Sequence, residues 1–151
     1  MPESENHKWM TLALEQAKLA AQAADVPVGA VLVKDGQCIA RGFNRREQDQ
    51  DPCGHAEVIA IREASRSLGS WRLEGCRLFV TLEPCPMCLA ACQQARVAEV
   101  IYGAKDPKGG ALSLGYALHE DPKTNHRFIV TPSLDPRCEL ILKEFFKSLR
   151  S

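Results

Sequence analysis

Two short stretches carry side chains suited to chemistry, His55-Ala56-Glu57 and Pro84-Cys85-Pro86-Met87-Cys88. Cysteines three apart at the start of a helix lie on one face, within reach of one tetrahedral ion. A helix N-terminus also favours their thiolates, because its unpaired N–H groups and its dipole stabilise negative charge. His55, at the start of another helix, supplies a third ligand. One His and two Cys leave a fourth position for water. That is a catalytic zinc arrangement, since a structural zinc is normally closed by a fourth protein ligand. Glu57 is then the proton carrier: a metal lowers the pKa of bound water from about 15.7 towards about 7, and a carboxylate takes that proton and passes it on. Residues two apart in mid-helix point in different directions, so His55 and Glu57 share the ion only if His55 sits where the helix is just forming. Asp51-Pro52-Cys53-Gly54 keeps the chain irregular up to that point. A Cys-x-x-Cys pair alone also suits a redox couple or two buried thiols. The metal is favoured because His-x-Glu and Pro-Cys-x-x-Cys lie one strand apart and each opens a helix.

The elements that must position these residues follow from periodicity and turn chemistry. Met10, Ala13, Leu14, Ala17, Ala20 and Ala21 recur at helical spacing, which predicts an amphipathic helix over 9–23 that stops before Asp25-Val26-Pro27. Residues 28–33 and 38–43 read as strands joined by Lys34-Asp35-Gly36-Gln37, where Asp-Gly signals a hairpin. Residues 44–54 are polar and read as a loop, and 55–68 form a second helix with Gly69 as its stop. Residues 77–82 read as a strand. The helix that follows runs from Pro84 to about Ala95, with Pro86 suited to its first turn, and 97–102 is the next strand. Strand–helix–strand over 78–102 implies a parallel pair with a right-handed crossover. Residues 109–118 are weakly helical, 127–130 form a short strand and 137–149 a terminal amphipathic helix. No repeat or linker interrupts the chain, so residues 1–151 read as one mixed α/β domain.

Composition sets the class. With 151 residues, 45% of them hydrophobic, the chain is long enough for an ordinary globular core. Lys and Arg number 19, as do Asp and Glu, and this zero net charge argues against bulk electrostatic binding of nucleic acid, leaving only local patches. The first residues are polar and mixed in charge, unlike a signal peptide, and apolar stretches such as 26–33 are far short of a membrane span. Seven cysteines in that setting point to reduced thiols. The expectation is a cytoplasmic enzyme without membrane association.

Further segments carry a family resemblance. They are Val26-Pro27-Val28-Gly29-Ala30-Val31, Gly42-Phe43-Asn44, Trp71-Arg72-Leu73, Val80-Thr81-Leu82-Glu83-Pro84, Tyr102-Gly103-Ala104-Lys105-Asp106-Pro107-Lys108, Asn125-His126-Arg127 and Phe145-Phe146. Together with the two motifs they make the chain resemble, over almost its whole length, the TadA-type tRNA-specific adenosine deaminases of the zinc-dependent cytidine/deoxycytidylate deaminase superfamily. Generic cytidine and guanine deaminases share the zinc motifs; the 103–108 and 125–127 segments favour the tRNA branch. The resemblance implies a three-layer α/β/α cytidine-deaminase-like fold around a five-stranded mixed sheet, working as a homodimer with each site near the subunit boundary. It implies one Zn2+ per subunit on His55, Cys85 and Cys88, with Glu57 as proton shuttle. Asn44 would hold the nucleoside, with Val28 and Ala56 beside it, while Asp106, Lys108 and Asn125 fall in segments resembling anticodon-loop contacts. The implied reaction converts the wobble adenosine of an arginine tRNA anticodon to inosine, with zinc-bound hydroxide attacking C6 and ammonia leaving. An anticodon loop is partly single-stranded, which reduces the cost of extruding its base, and the apolar 26–33 segment offers a wall for stacking it.

Some residues fall outside this pattern. Cys53-Gly54 stands before His55 where the family usually has a small Thr- or Ser-type pair, and Cys53 reads as a small filler. Cys92 reads as a core thiol, Cys38 and Cys76 as buried strand or strand-edge residues, and His7 and His119 as exposed; a structural role for His126 weighs at least as much as a contact. The family often ends in a richly basic stretch after the paired Phe, whereas here Phe145-Phe146 is followed by Lys147-Ser148-Leu149-Arg150-Ser151. Residues 123–150 hold six basic and three acidic side chains, a net +3 that suits either a few phosphates or a solvated helix face. Two rival functions remain open: a small-molecule deaminase acting on guanine, cytosine or a nucleoside with the same zinc chemistry, and a zinc-bearing binding protein without catalysis. Intact Glu57 speaks against the second.

Overall fold

Five short apolar segments pair into one mixed sheet. In the computed structural model, which describes residues 2–150, they are β1 (Gly29–Lys34), β2 (Gln37–Phe43), β3 (Arg77–Val80), β4 (Glu99–Tyr102) and β5 (Ile129–Pro132). Their spatial order is β2-β1-β3-β4-β5. β1 is antiparallel to both of its neighbours, whereas β3/β4 and β4/β5 are parallel. Asp35 (φ 51°) and Gly36 (φ 73°) make the β1–β2 hairpin with the two positive φ angles that a tight type I′ turn needs. The parallel β3/β4 pair follows from the intervening helix α4 (Pro86–Gln94), which carries the chain back to the starting edge.

Alternation along the strands builds two cores. Ala30, Leu32, Leu78, Val80, Val100 and Tyr102 face Ala56, Ala60 and Ala64 of α3 (Ala56–Leu68) and Leu89 of α4. Val31, Val33, Phe79 and Ile101 face Trp9, Met10, Ala13 and Leu14 of α1 (Pro2–Gln22) and Cys138 of α5 (Pro136–Leu149). A sheet buried on both faces requires such apolar runs in its central strands, and the result is the expected three-layer α/β/α sandwich. Two glycines allow the helices to approach closely. A Cβ on Gly29 would collide with the Ala13 carbonyl of α1, and one on Gly42 would lie 2.6 Å from the Ala56 carbonyl of α3.

Some sequence expectations shift. α1 begins at Pro2 rather than at residue 9, because the apolar spacing marks only the part of the helix that meets the sheet. The 44–54 loop contains a short helix, α2 (Arg46–Asp49). The buried carboxylate of Asp25 accepts the N–H groups of Glu47 (2.9 Å) and Gln48 (3.1 Å), a contact too distant in sequence for any local pattern to reveal. β4 and β5 begin two residues later than expected. Residues 109–118 are turns rather than helix, and only Leu118–Glu120 forms a 3-10 turn. His119 is buried rather than exposed, its ring 5.9 Å from that of Phe128 and its carbonyl accepting the Phe128 N–H at 3.1 Å. Among the described residues, no helix is long and apolar enough to cross a membrane.

Candidate active site

Strand register places the chemistry at one edge of the sheet. Gly42 pairs with Ala30, Ala30 with Val80, and Val80 with Tyr102, so the carboxyl ends of β2, β3 and β4 lie in a row. Clefts outside the carboxyl ends of parallel strands are where α/β sheets hold ligands. Two helices start there. His55 is the N-cap of α3, with extended backbone (φ −79°, ψ 152°), and Cys85 is the N-cap of α4 (φ −72°, ψ 169°), with Pro86 in the first turn. Neither side chain caps its own helix, which leaves both free to meet each other. Because His55 is extended and Glu57 helical, the two side chains reach the same cavity despite being two residues apart.

His55 Nδ1 lies 3.6 Å from Cys85 Sγ and 3.4 Å from Cys88 Sγ, and all three donor atoms lie within 4.8 Å of one another. A tetrahedral zinc with Zn–N near 2.0 Å and Zn–S near 2.3 Å holds nitrogen and sulfur about 3.5 Å apart. The donor set and its spacing therefore fit zinc. No fourth His, Cys, Asp or Glu joins the group among the described residues, so a bound ion keeps one open position. Cys92 is buried beyond the group, and burial pushes its thiol up, as expected of a core residue. Cys53 is exposed on the loop before His55 and stands outside the group.

Protonation is uneven across the cluster. The S–H of Cys88 donates to Cys85 and, with His55, holds the Cys85 thiol down at about 4, while the same bond pushes Cys88 up. Cys85 in turn raises the His55 imidazole above its ordinary value. Glu57 is 4% exposed, and burial pushes its carboxyl up to about 7, where a group both accepts and returns a proton at neutral pH.

A cavity of about 200 Å³ opens beside the cluster. Whole-ligand sites commonly occupy about 300–1,000 Å³, so this volume suits one flat ring with the rest of its molecule outside. Val28, Asn44, Ala56, Glu57 and Asp106 line it with His55 and Cys85. Asn44 is pinned: its Nδ2 donates to the Val26 carbonyl (3.1 Å) and its Oδ1 accepts the Arg46 N–H (3.2 Å). One N–H and one acceptor lone pair remain on its amide. Of the 26–33 segment only Val26 and Val28 reach the cavity, because Ala30 to Val33 are spent in the sheet. Lys108 and Asn125 are exposed and do not line it. His126 is structural, its Nε2 2.7 Å from the Val97 carbonyl and its ring stacked on Phe128. Arg46, Leu82 and Glu83 also line the cavity, and none was read as a site residue in the sequence. Leu82 and Glu83 stood there only within the 80–84 resemblance segment, and the one signal for Arg46 was its place two residues after Asn44.

The chain has many relatives. The family model of the cytidine and deoxycytidylate deaminase zinc-binding region matches residues 3–104. The tRNA-specific adenosine deaminase of Bacillus subtilis (strain 168) is 44% identical over 148 residues, covering 97% of this chain and 92% of that protein. A solved structure from work on A-to-I editing by tRNA:A34 deaminases at the wobble position superposes with a TM-score of 0.85 at 44% identity, over 90% of this chain and 99% of that one. Guanine deaminase from Bacillus subtilis is more distant, with a TM-score of 0.64 at 36% identity over 81% of this chain and 82% of that one. With its sheet, its His/Cys/Cys group and its buried glutamate all in place, this chain belongs to the cytidine and deoxycytidylate deaminase zinc-binding family.

Proposed function

We propose that this protein deaminates the wobble adenosine of an arginine tRNA anticodon to inosine. The observation that carries the reading is full-length likeness to tRNA-specific adenosine deaminases in a chain whose His55, Cys85, Cys88 and Glu57 are all present around one cavity. His55, Cys85 and Cys88 hold one zinc ion per chain. The zinc supplies Lewis acidity, which makes water a competent nucleophile at neutral pH.

The chain's own side chains do the rest. Glu57 takes a proton from the attacking water and delivers it to N1 of the adenine. The same carboxyl then moves the second water proton to the departing exocyclic nitrogen, so adenosine and water become inosine and ammonia. Val28 and Ala56 flank the base, and Asn44, fixed by its two main-chain hydrogen bonds, offers its remaining amide groups to the nucleoside. Asp106 stands at the cavity, while exposed Lys108 and Asn125 contact the parts of the anticodon loop that remain outside. The whole chain, 1–151, acts as one deaminase domain in the cytoplasm. It works as a homodimer, for which exposed Leu114, Tyr116 and Ile129 offer apolar surface.

The test is inosine formation by zinc-loaded protein on an arginine-tRNA anticodon stem-loop, run beside free adenosine, guanine and cytosine. Turnover of the stem-loop alone is the expected result. Turnover of a free base or nucleoside only would replace this reading with the small-molecule one, and zinc binding without any turnover would replace it with a binding role.

A further inference from the structure

A second buried carboxylate stands in the cavity wall apart from Glu57. Glu83 is 3% exposed and pairs with no cation among the described residues. Burying such a charge is expensive unless directed donors replace its water. Here every donor comes from one loop. Oε1 accepts the Ser113 hydroxyl at 2.7 Å and the Asp106 N–H at 3.1 Å, and Oε2 accepts the Ser113 N–H at 2.8 Å.

The surroundings are fitted to this contact. A Cβ on Gly110 would collide with Glu83 Oε2, so the loop passes the carboxylate only because residue 110 has no side chain. Main-chain bonds tie the same two segments together, from Glu83 N–H to the Ala104 carbonyl and from Ala111 N–H to the Pro84 carbonyl, each at 2.8 Å. Asp106 closes the loop's own turn, its Oδ1 accepting the N–H groups of Lys108 (3.3 Å) and Gly109 (3.1 Å). The strand-to-helix turn that carries Cys85 and the loop that carries Asp106 are thus joined by two main-chain bonds and, across the loop's middle, by the Glu83 carboxylate.

We propose that Glu83 is a positioning residue which, with Ser113, latches the 106–113 loop to the turn before Cys85 and so sets Asp106 against the nucleotide held in the cavity and Lys108 against the RNA just outside it. The kinetic side of this proposal rests on the RNA substrate proposed above. Opening the latch frees the loop but leaves His55, Glu57, Cys85 and Cys88 on their helices. Binding is therefore lost and the chemical step is spared.

Glu83→Gln keeps the size of the side chain but turns an NH2 group towards N–H or O–H donors. It is expected to raise KM for the anticodon stem-loop about tenfold, with kcat within about twofold of the parent and zinc content unchanged. Ser113→Ala removes only the hydroxyl donor and should raise KM about threefold; the double variant should be no worse than Glu83→Gln, as expected of partners in one contact. Gly110→Ala opens the latch from the loop side and should match Glu83→Gln. A readout that needs no substrate is amide hydrogen exchange, which should accelerate at Asp106 and Ser113 in Glu83→Gln and in Gly110→Ala while the helices keep parental rates. Parental exchange at those two amides overturns the latch. So does a Glu83→Gln protein that loses kcat or zinc with KM unchanged. If the parent fails to turn over the stem-loop while exchange accelerates as stated, the RNA reading fails and the latch is supported on the exchange result.

Discussion

Without metal, the three donor side chains share their protons unequally, and that inequality fixes how zinc binding depends on pH. Cys85 is held as a thiolate by the S–H of Cys88, while Cys88 keeps its proton and His55 is raised. A bound zinc needs both thiolates and an unprotonated imidazole nitrogen. Zinc must therefore expel the Cys88 proton together with the fraction carried by His55. The free protein holds more protons than the zinc form, so affinity rises with pH through neutrality and falls in acid. Calorimetry in buffers of different ionisation enthalpy should show release of at least about one proton per zinc, and no release would contradict the assigned ligands. Cys85→Ala and Cys88→Ala should lose metal and thermal stability together. Glu57 stands outside the three-donor group. Glu57→Ala should keep its zinc and lose roughly 10²- to 10⁴-fold in turnover, read as inosine formed beside metal content; near-parental turnover would remove Glu57 from its role. These four residues were legible because they sit in two contiguous motifs. Glu83 was not, since its partners Asp106 and Ser113 lie 23 and 30 residues away and meet it only in the folded chain.

At the scale of elements, local signals were read well where they were local. Gly69 stops α3 with φ 66°, Pro86 opens α4, and Asp35-Gly36 turns the hairpin. What periodicity missed depends on distant contacts: α2 exists because Asp25 holds its first N–H groups, and the 109–118 turns are held by Glu83. The glycines that admit the helices supply a test of how the layers serve the site. A Cβ at Gly42 meets the start of α3, the helix that presents His55 and Glu57, whereas one at Gly29 meets the middle of α1 on the opposite face. Both Gly29→Ala and Gly42→Ala should destabilise by about 1–3 kcal/mol in denaturant titration, as overpacking does. Only Gly42→Ala should also weaken zinc binding, because the displaced backbone is that of the ligand-bearing helix. Equal zinc affinity in the two variants would show that α3 absorbs the strain without moving His55.

For the molecule as a whole, zero net charge removes long-range attraction for RNA, so any grip must come from placed cations. Helix α5 and residues 104–105 border a groove of about 460 Å³ lined by Lys105, Lys143, Lys147, Arg150 and Phe146. Lys143 is engaged with Glu139 at 2.9 Å, whereas Lys105, Lys147 and Arg150 form no ion pair among the described residues. Three cations beside one exposed aromatic ring make a modest phosphate-binding surface on an otherwise balanced chain. Affinity for the anticodon stem-loop should then fall linearly with salt on logarithmic axes. Lys147→Ala and Arg150→Ala should each weaken binding and reduce the slope by about 0.7 to 0.9, the share of one phosphate contact. Neither should change kcat at saturating RNA, because the groove is lined by none of the residues around the zinc site. A slope unchanged by both substitutions would move the RNA path off α5. A slope already near zero in the parent would show that base contacts in the cavity, rather than phosphates, supply the affinity.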